Sequence, residues 1–240
     1  MTFKELFKGQ RPIIGVQDCG CNMQHSTYDK MMREIDIFIR HDVSPLIMNV
    51  FGRGGSVEDC KDALAYICSE YPGAIYGISI PERWDYAFYL ADEFNASFVY
   101  IDEINAKFTT EDKFIEDLMS LRERFKSIIV LGSMYYPRYS GLGFEGELLK
   151  VSQCCDAIVY LGDREDVTMM NGKVEEIKTV LKDFPVLMGE DFAEDQCMEG
   201  YLRGDGAVLD AWLKDYRSVR GNVNEDYVAE IVEANQLRAN

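Results

Sequence analysis

Long hydrophobic runs are missing from this sequence: its apolar stretches, such as 127–131 and 157–161, stop far short of the ~20 residues that a membrane span requires. No membrane insertion is expected. Basic charge is scarce as well. Lysine and arginine number 25 against 42 aspartates and glutamates, giving a net charge of −17 that repels nucleic acid and anionic lipid over most of a surface. Histidine is scarcer still, with only His25 and His41 in 240 residues. That leaves little material for Ser–His or Cys–His catalysis, and no second close-spaced pair joins Cys19, Cys21 and His25 to form a structural zinc site. Cysteine occurs seven times, an odd number spread through the chain, which fits free thiols in a reducing compartment better than a disulfide scaffold. No basic start followed by an apolar stretch and a small-residue cleavage site precedes Arg11, so a soluble, cytoplasmic protein is expected.

What the chain does have is 47% hydrophobic residues, enough to bury a full core and to exclude global disorder. Those residues repeat one theme. A short apolar run bounded by turn residues is followed by an amphipathic stretch. The runs are 11–18, 45–51, 74–81, 97–103, 127–133, 156–163, 185–191 and 206–212, and their starts recur about every 28 residues. Between them, Tyr28 to Arg40 places Met31, Met32, Ile35, Phe38 and Ile39 at helical spacings. Thr110 reads as the N-cap of a following helix, Asn224 as the cap of the last one, and Ser56 as an N-cap or an anion-binding turn residue. Continuous rather than alternating apolar runs belong to strands buried on both faces, as in parallel sheets.

Eight such units without a Ser/Gly/Pro linker predict a single (β/α)8 TIM barrel spanning residues 1–240, with an open doubly wound sheet as the competing architecture. A parallel barrel gathers its chemistry at the C-terminal ends of its strands. Acids stand at or near six of those ends: Asp18, Glu82, Asp102, Asp163, Asp191 and Asp210. A carboxylate at the end of a buried strand must be partnered, metal-bound or poised for proton transfer. The plainer reading is that these acids cap the following helices or pair with Arg53, Arg83, Arg138 or Arg164. Gly141, Gly143 and Gly146 spell GxGxxG, but residues 134–140 separate them from the preceding strand, so they do not form a dinucleotide fingerprint. The loops after the seventh and eighth runs carry Glu190, Asp191 and Asp210, which would repel a phosphate dianion unless Lys214 and Arg138 both turn inward.

From Ala157 onward the sequence resembles the BtpA/SgcQ family of TIM-barrel proteins. The features that carry the resemblance are the aspartate-led sixth strand, PVLMG at the seventh, and DGAVLDAWLK (residues 205–214) followed by a short loop and a final helix. ADEFNASFVYIDE (residues 91–103) and RPIIGV (residues 11–16) match more loosely. The family is named for a role in photosystem I accumulation, and other members look like enzymes of sugar or nucleoside metabolism. Members tend to carry a Gly-Ser-Gly type turn after strand seven and a Gly-Thr-x-Leu-Lys segment on strand eight. Here Glu190 and Asp191 replace the first, Asp210 and Ala211 stand in the second, and Lys214 is retained. The departure points to a neutral or hydroxyl-rich small-molecule ligand.

Two readings follow. One is an enzyme acting at an anomeric carbon of a sugar- or nucleoside-like ligand, by hydrolysis or transfer. Its catalytic candidates are Asp191, Glu190 and Asp163, with Asp191 or Glu190 as general acid or base and Asp163 or Asp210 holding a hydroxyl. The ligand-binding candidates are Asp18, Asn49, Glu82, Asp102, Tyr135, Arg138, Asp210, Trp212 and Lys214, with Tyr136 and Phe192 as further rings to stack on. An acid held among like charges is expected to have a raised pKa. The other reading is a non-catalytic barrel that binds or sequesters a ligand or assists assembly. The cofactor stays open; a divalent cation on Asp18, Asp102, Asp163 and Asp191 is one option, and homo-oligomerisation another open point.

Overall fold

The computed structural model describes residues 1–20, 27–50, 56–135, 142–161, 167–189, 204–219 and 221–239. Eight strands form a closed barrel in the order β1 to β8: β1 Ile13–Asp18, β2 Leu46–Asn49, β3 Tyr76–Ser79, β4 Phe98–Ile101, β5 Ile129–Tyr135, β6 Ala157–Leu161, β7 Val186–Met188 and β8 Ala207–Leu209. Each of the eight apolar runs holds one strand or most of one, and the pairings are parallel. The chain is a (β/α)8 TIM barrel. Among the described residues the α-helices are α1 Phe3–Leu6, α2 Thr27–Arg40, α3 Val57–Glu70, α4 Trp84–Glu93, α5 Ile104–Thr110, α6 Phe114–Arg124, α7 Gly143–Cys154, α8 Val167–Leu181 and α9 Glu225–Ala239. Among the described residues no helix is long and apolar enough to cross a membrane.

Two of the three expected caps are present. Ser56 Oγ accepts the Asp59 N–H at 3.1 Å, and Asn224 Oδ1 accepts those of Asp226 and Tyr227 at 3.1 and 3.2 Å. The third expectation is corrected. Thr110 does not start a helix but ends α5, where its hydroxyl donates back to the Ala106 carbonyl at 3.1 Å. The break before α6 is made by Lys113, which adopts a left-handed conformation at φ 65°.

The chain packs as two compact units, residues 1–12 with 98–208, and residues 13–97 with 209–240. In the first, Arg122 of α6 clasps Asp156 through two 2.9 Å bonds, while Asp156 also accepts the Val130 N–H at 2.8 Å. A fork of this kind ties a helix to the starts of β5 and β6. Gly206, at φ +154°, lies so close to the chain start that a Cβ would fall 2.6 Å from the Pro12 carbonyl oxygen. That same carbonyl accepts the Ala207 N–H at 2.9 Å.

In the second unit, strand alternation sorts side chains into those that meet the helices and those on the inner face. Gly15 faces α2, since a Cβ there would meet Phe38 at 3.0 Å. Gln17, two residues on, bonds Glu34 of α2 at 3.0 Å. Tyr76 of β3 reaches the helix layer too, its hydroxyl meeting Cys68 Sγ at 3.0 Å and the Phe94 carbonyl. By the same two-residue period, Ile14, Val16 and Asp18 of β1, and Gly77 and Ser79 of β3, belong to the inner face.

Candidate functional site

Register brings the site together. Asp18 is paired with Asn49, and Asn49 with Ser79, so the last residues of β1, β2 and β3 form one row at the C-terminal edge. Asn49 Nδ2 donates to Asp18 Oδ1 at 3.0 Å, which fixes both side chains on the inner face. Onto this row comes Lys214, from the segment after β8. Its side chain is only 3% exposed, and its ammonium donates to Asp18 Oδ2 at 2.8 Å. It also pairs with Asp210 and reaches the Val219 carbonyl at 3.5 Å. An ammonium has three protons. All three have acceptors here.

The loop that carries Lys214 is itself anchored. Lys214 bridges to Val223 in antiparallel fashion, and Asn224 N–H donates to the Leu213 carbonyl at 2.8 Å. Glu34, buried in α2, accepts the Val223 N–H at 3.0 Å with one oxygen and Gln17 Nε2 at 3.0 Å with the other. Gly221 permits the tight return, because a Cβ would sit 2.3 Å from the Asp215 carbonyl oxygen.

Electrostatics divides the two acids. Burial pushes the Asp210 carboxyl up to about 6; the nearby ammonium of Lys214 opposes that shift and the charge of Asp18 adds to it. At Asp210 the main cause is burial rather than like charge. Asp18 is more open, 33% exposed, and has both oxygens engaged by donors. For Lys214, burial works against the charged form, but Asp210 and Asp18 together outweigh it and hold the ammonium above its ordinary range. The lysine is therefore a fixed cation, not a nucleophilic amine.

A second polar group stands within the other unit, at the ends of β4 and β5. Ser133, fully buried, donates to Asp102 Oδ1 at 2.8 Å and accepts the Glu103 N–H at 2.8 Å. Beside it, Asn105 of α5 donates to the Tyr135 carbonyl at 3.3 Å and to Glu147 of α7 at 3.2 Å. Tyr135 is half-buried at the end of β5.

Of the residues expected from the sequence, the structure brings Asp18, Asn49, Asp210 and Lys214 into one cluster. Among the described residues, the cation that partners the two acids is this lysine. Glu82 is exposed in a 3-10 turn after β3, and its neighbour Arg83 pairs with Asp85 at 3.3 Å. Trp212 is buried, and the Arg217 guanidinium lies 4.7 Å from its ring centre and 3.7 Å from that of Tyr227. One face of the indole is thus taken by the protein's own cation. Glu190, Asp191, Asp163 and Arg138 lie outside the described residues, as do Arg53, Arg164, Tyr136 and Phe192. Among the described residues no group of three or more His, Cys, Asp or Glu is arranged to hold a metal ion. Asp18 and Asp210 already share the cation of Lys214.

The sequence did not single out Ser79 or Glu34, and it marked Ser133 only as a strand-end residue, without its partners. Each is a polar residue inside a stretch scored as apolar strand or amphipathic helix. The signal for Ser79 and Ser133 was parity: each lies on the inner-face side of a strand, beside a strand-end acid or amide on the neighbouring strand.

No protein-family model and no curated protein matches this sequence. Many solved structures resemble its fold. The tryptophan synthase alpha chain of Legionella pneumophila aligns with a TM-score of 0.64 at 9% identity, over 97% of this chain and 94% of that one. Phosphoribosyl anthranilate isomerase of Thermotoga maritima gives 0.64 at 8% identity, over 95% and 99%. Thiamine phosphate pyrophosphorylase of Pyrococcus furiosus gives 0.61 at 13% identity, over 97% and 98%. These neighbours are enzymes built on TIM barrels. At such identities the likeness concerns the fold alone.

Proposed function

We infer that this chain is a small-molecule enzyme of the BtpA/SgcQ kind, acting at an anomeric carbon of an uncharged sugar- or nucleoside-like substrate. The observation that carries the reading is the shared ammonium of Lys214, which holds two strand-end carboxyl groups close together while their environments differ. Asp210, buried and titrating at about 6, is suited to give and take a proton near neutral pH. Asp18 is its partner, held in place by Asn49 and Lys214.

Both acids bond one nitrogen, so the bonded oxygens stand no farther apart than two hydrogen-bond lengths, roughly 5.5 Å. So close a pair favours the retaining arrangement, in which the second carboxylate is itself the nucleophile, over the wider spacing an inverting pair needs for its water. In the first step an Asp18 oxygen bonds to the anomeric carbon as the bond to the leaving oxygen or nitrogen breaks, and protonated Asp210 supplies the leaving group's proton. In the second, water or an acceptor hydroxyl attacks the same carbon, gives its proton to Asp210, and releases Asp18. Substrate phosphate is disfavoured, because the lysine has no donor left for it and the cluster carries more acid than base. The described cysteines Cys19, Cys60, Cys68, Cys154 and Cys155 are free thiols, which supports a reducing, cytoplasmic setting.

A panel of p-nitrophenyl glycosides and nucleosides tests this reading. The expected result is turnover of at least one, with net retention of anomeric configuration, reduced at least 100-fold in Asp210→Asn and Asp18→Asn proteins that keep the wild-type circular dichroism. Undiminished turnover in both variants would falsify it. The satisfied state of Lys214 also suits a barrel that only binds and sequesters its ligand; a probe that raises the melting temperature without being turned over selects that reading.

A further inference from the structure

One group in the inner-face row has no partner among the described residues. Asp18 and Asn49 bond each other, and Asp18 bonds Lys214. Ser79, next in register after Asn49, is 1% exposed, yet among the described residues its hydroxyl makes no hydrogen bond. A buried hydroxyl without a partner is costly, and folded proteins rarely retain one. Neighbouring strands lie about 4.8 Å apart, so the Ser79 hydroxyl stands one strand from the Asn49 carboxamide and two from the Asp18 carboxylate. Tyr76 and Ile78 face the helices, which leaves Ser79 directed inward along with Asn49.

We propose that Ser79 is a ligand-binding residue, the far end of an Asp18–Asn49–Ser79 row that reads hydroxyl groups of an uncharged polyhydroxylated molecule. The proposal rests on the reading above and extends it to the substrate's chemical class. A serine hydroxyl donates one hydrogen bond and accepts two, matching an alcohol in either sense. It offers no charge to an anion. The cation of this cluster, Lys214, has spent its donors on Asp18, Asp210 and the Val219 carbonyl. A phosphorylated ligand would meet two acids and no free ammonium proton.

Thermal denaturation of the full chain, alone and with uridine, adenosine, D-ribose or D-glucose, tests the proposal, with inorganic phosphate as the anionic control. Ser79→Ala without any probe should melt about 2–4 °C higher, because a domain of this size sheds one unpaired buried polar group. The same variant should bind the neutral probe that shifts the wild type at least tenfold more weakly, and Ser79→Thr, which keeps a hydroxyl, should recover part of the loss. A lower melting temperature for Ser79→Ala means the hydroxyl is structural and overturns the proposal. So does tighter binding of phosphate than of any neutral probe. If Ser79→Ala binds like wild type while Asp210→Asn loses turnover, the subsite falls and the enzymatic reading stands. If Ser79→Ala loses binding while Asp210→Asn turns over normally, the subsite stands and that reading falls. No shift with any neutral probe overturns both.

Discussion

Lys214 donates to Asp18 at 2.8 Å across 196 residues of chain, joining the segment after β8 to the end of β1. Buried ion pairs contribute little net stability compared with apolar packing, yet removing one partner strands the other charge. Lys214→Met should therefore cost about 3–5 kcal/mol at neutral pH. The cost should shrink toward pH 5, where Asp210 can take up a proton. Urea midpoints at the two pH values measure this. A loss below about 1 kcal/mol at pH 7 would place the pair in the class of weak surface bridges.

The raised pKa of Asp210 has a definite sign in the pH dependence of stability. In the unfolded chain an aspartate titrates near 3.9, whereas in the folded protein burial lifts Asp210 to about 6. Between those values the native state keeps a proton that the unfolded state has released. Stability therefore falls as pH rises through that window. Asp210→Asn lacks this titration, so its stability relative to wild type should improve from pH 4 to pH 7. Parallel stability curves for the two proteins would show that Asp210 is not held in this way.

Glu34 holds the loop of Lys214 through the Val223 amide and steadies Gln17 with its other oxygen. Glu34→Ala strands two buried donors, at about 1–3 kcal/mol each. Hydrogen exchange should show the Val223 amide losing protection, while amides of β5 and β6 keep theirs. Unchanged protection at Val223 would mean that the loop is held by other contacts.

The two caps that differ in outcome make a paired test. Ser56→Ala removes a working N-cap and should cost about 1 kcal/mol. Thr110→Ala deletes only a bond back to its own helix, and should change stability by less than about 0.5 kcal/mol. Chemical denaturation of both variants measures the contrast, and equal costs would contradict the cap assignments.

Gly206 sits against the backbone of Pro12, where no side chain fits. Gly206→Ala should destabilise by more than the roughly 1 kcal/mol of an ordinary glycine change, because the neighbour is a backbone carbonyl oxygen that cannot rotate aside. A melting temperature within 2 °C of wild type, about the shift of a fraction of a kcal/mol, would rule out the clash.

The barrel was legible in the sequence because it depends on a coarse signal, eight apolar runs at even spacing. The site was legible only in part. Asp18, Asn49, Asp210 and Lys214 could be named, since strand ends are predictable from those runs. That Lys214 joins both acids could not, because it depends on how the loop from Asp215 to Val223 folds back over α2. Ser79 escaped for a related reason: its importance lies in having no partner, and a lack of partners is a property of packing. Thr110 misled because a threonine before acids looks like a cap, whereas the left-handed turn at Lys113 decides where α6 starts.

Gln17 and Asp18 are chain neighbours with opposite fates, one bonded to Glu34 and the other to Lys214. A slip of β1 by a single residue would swap them. The carboxylate would then be driven against the glutamate of α2, two negative charges in a layer sealed from water, and the lysine would face an amide. The mispaired barrel is thus penalised twice by the same charges that order the correct one, and the strand's alignment is guarded from both of its sides.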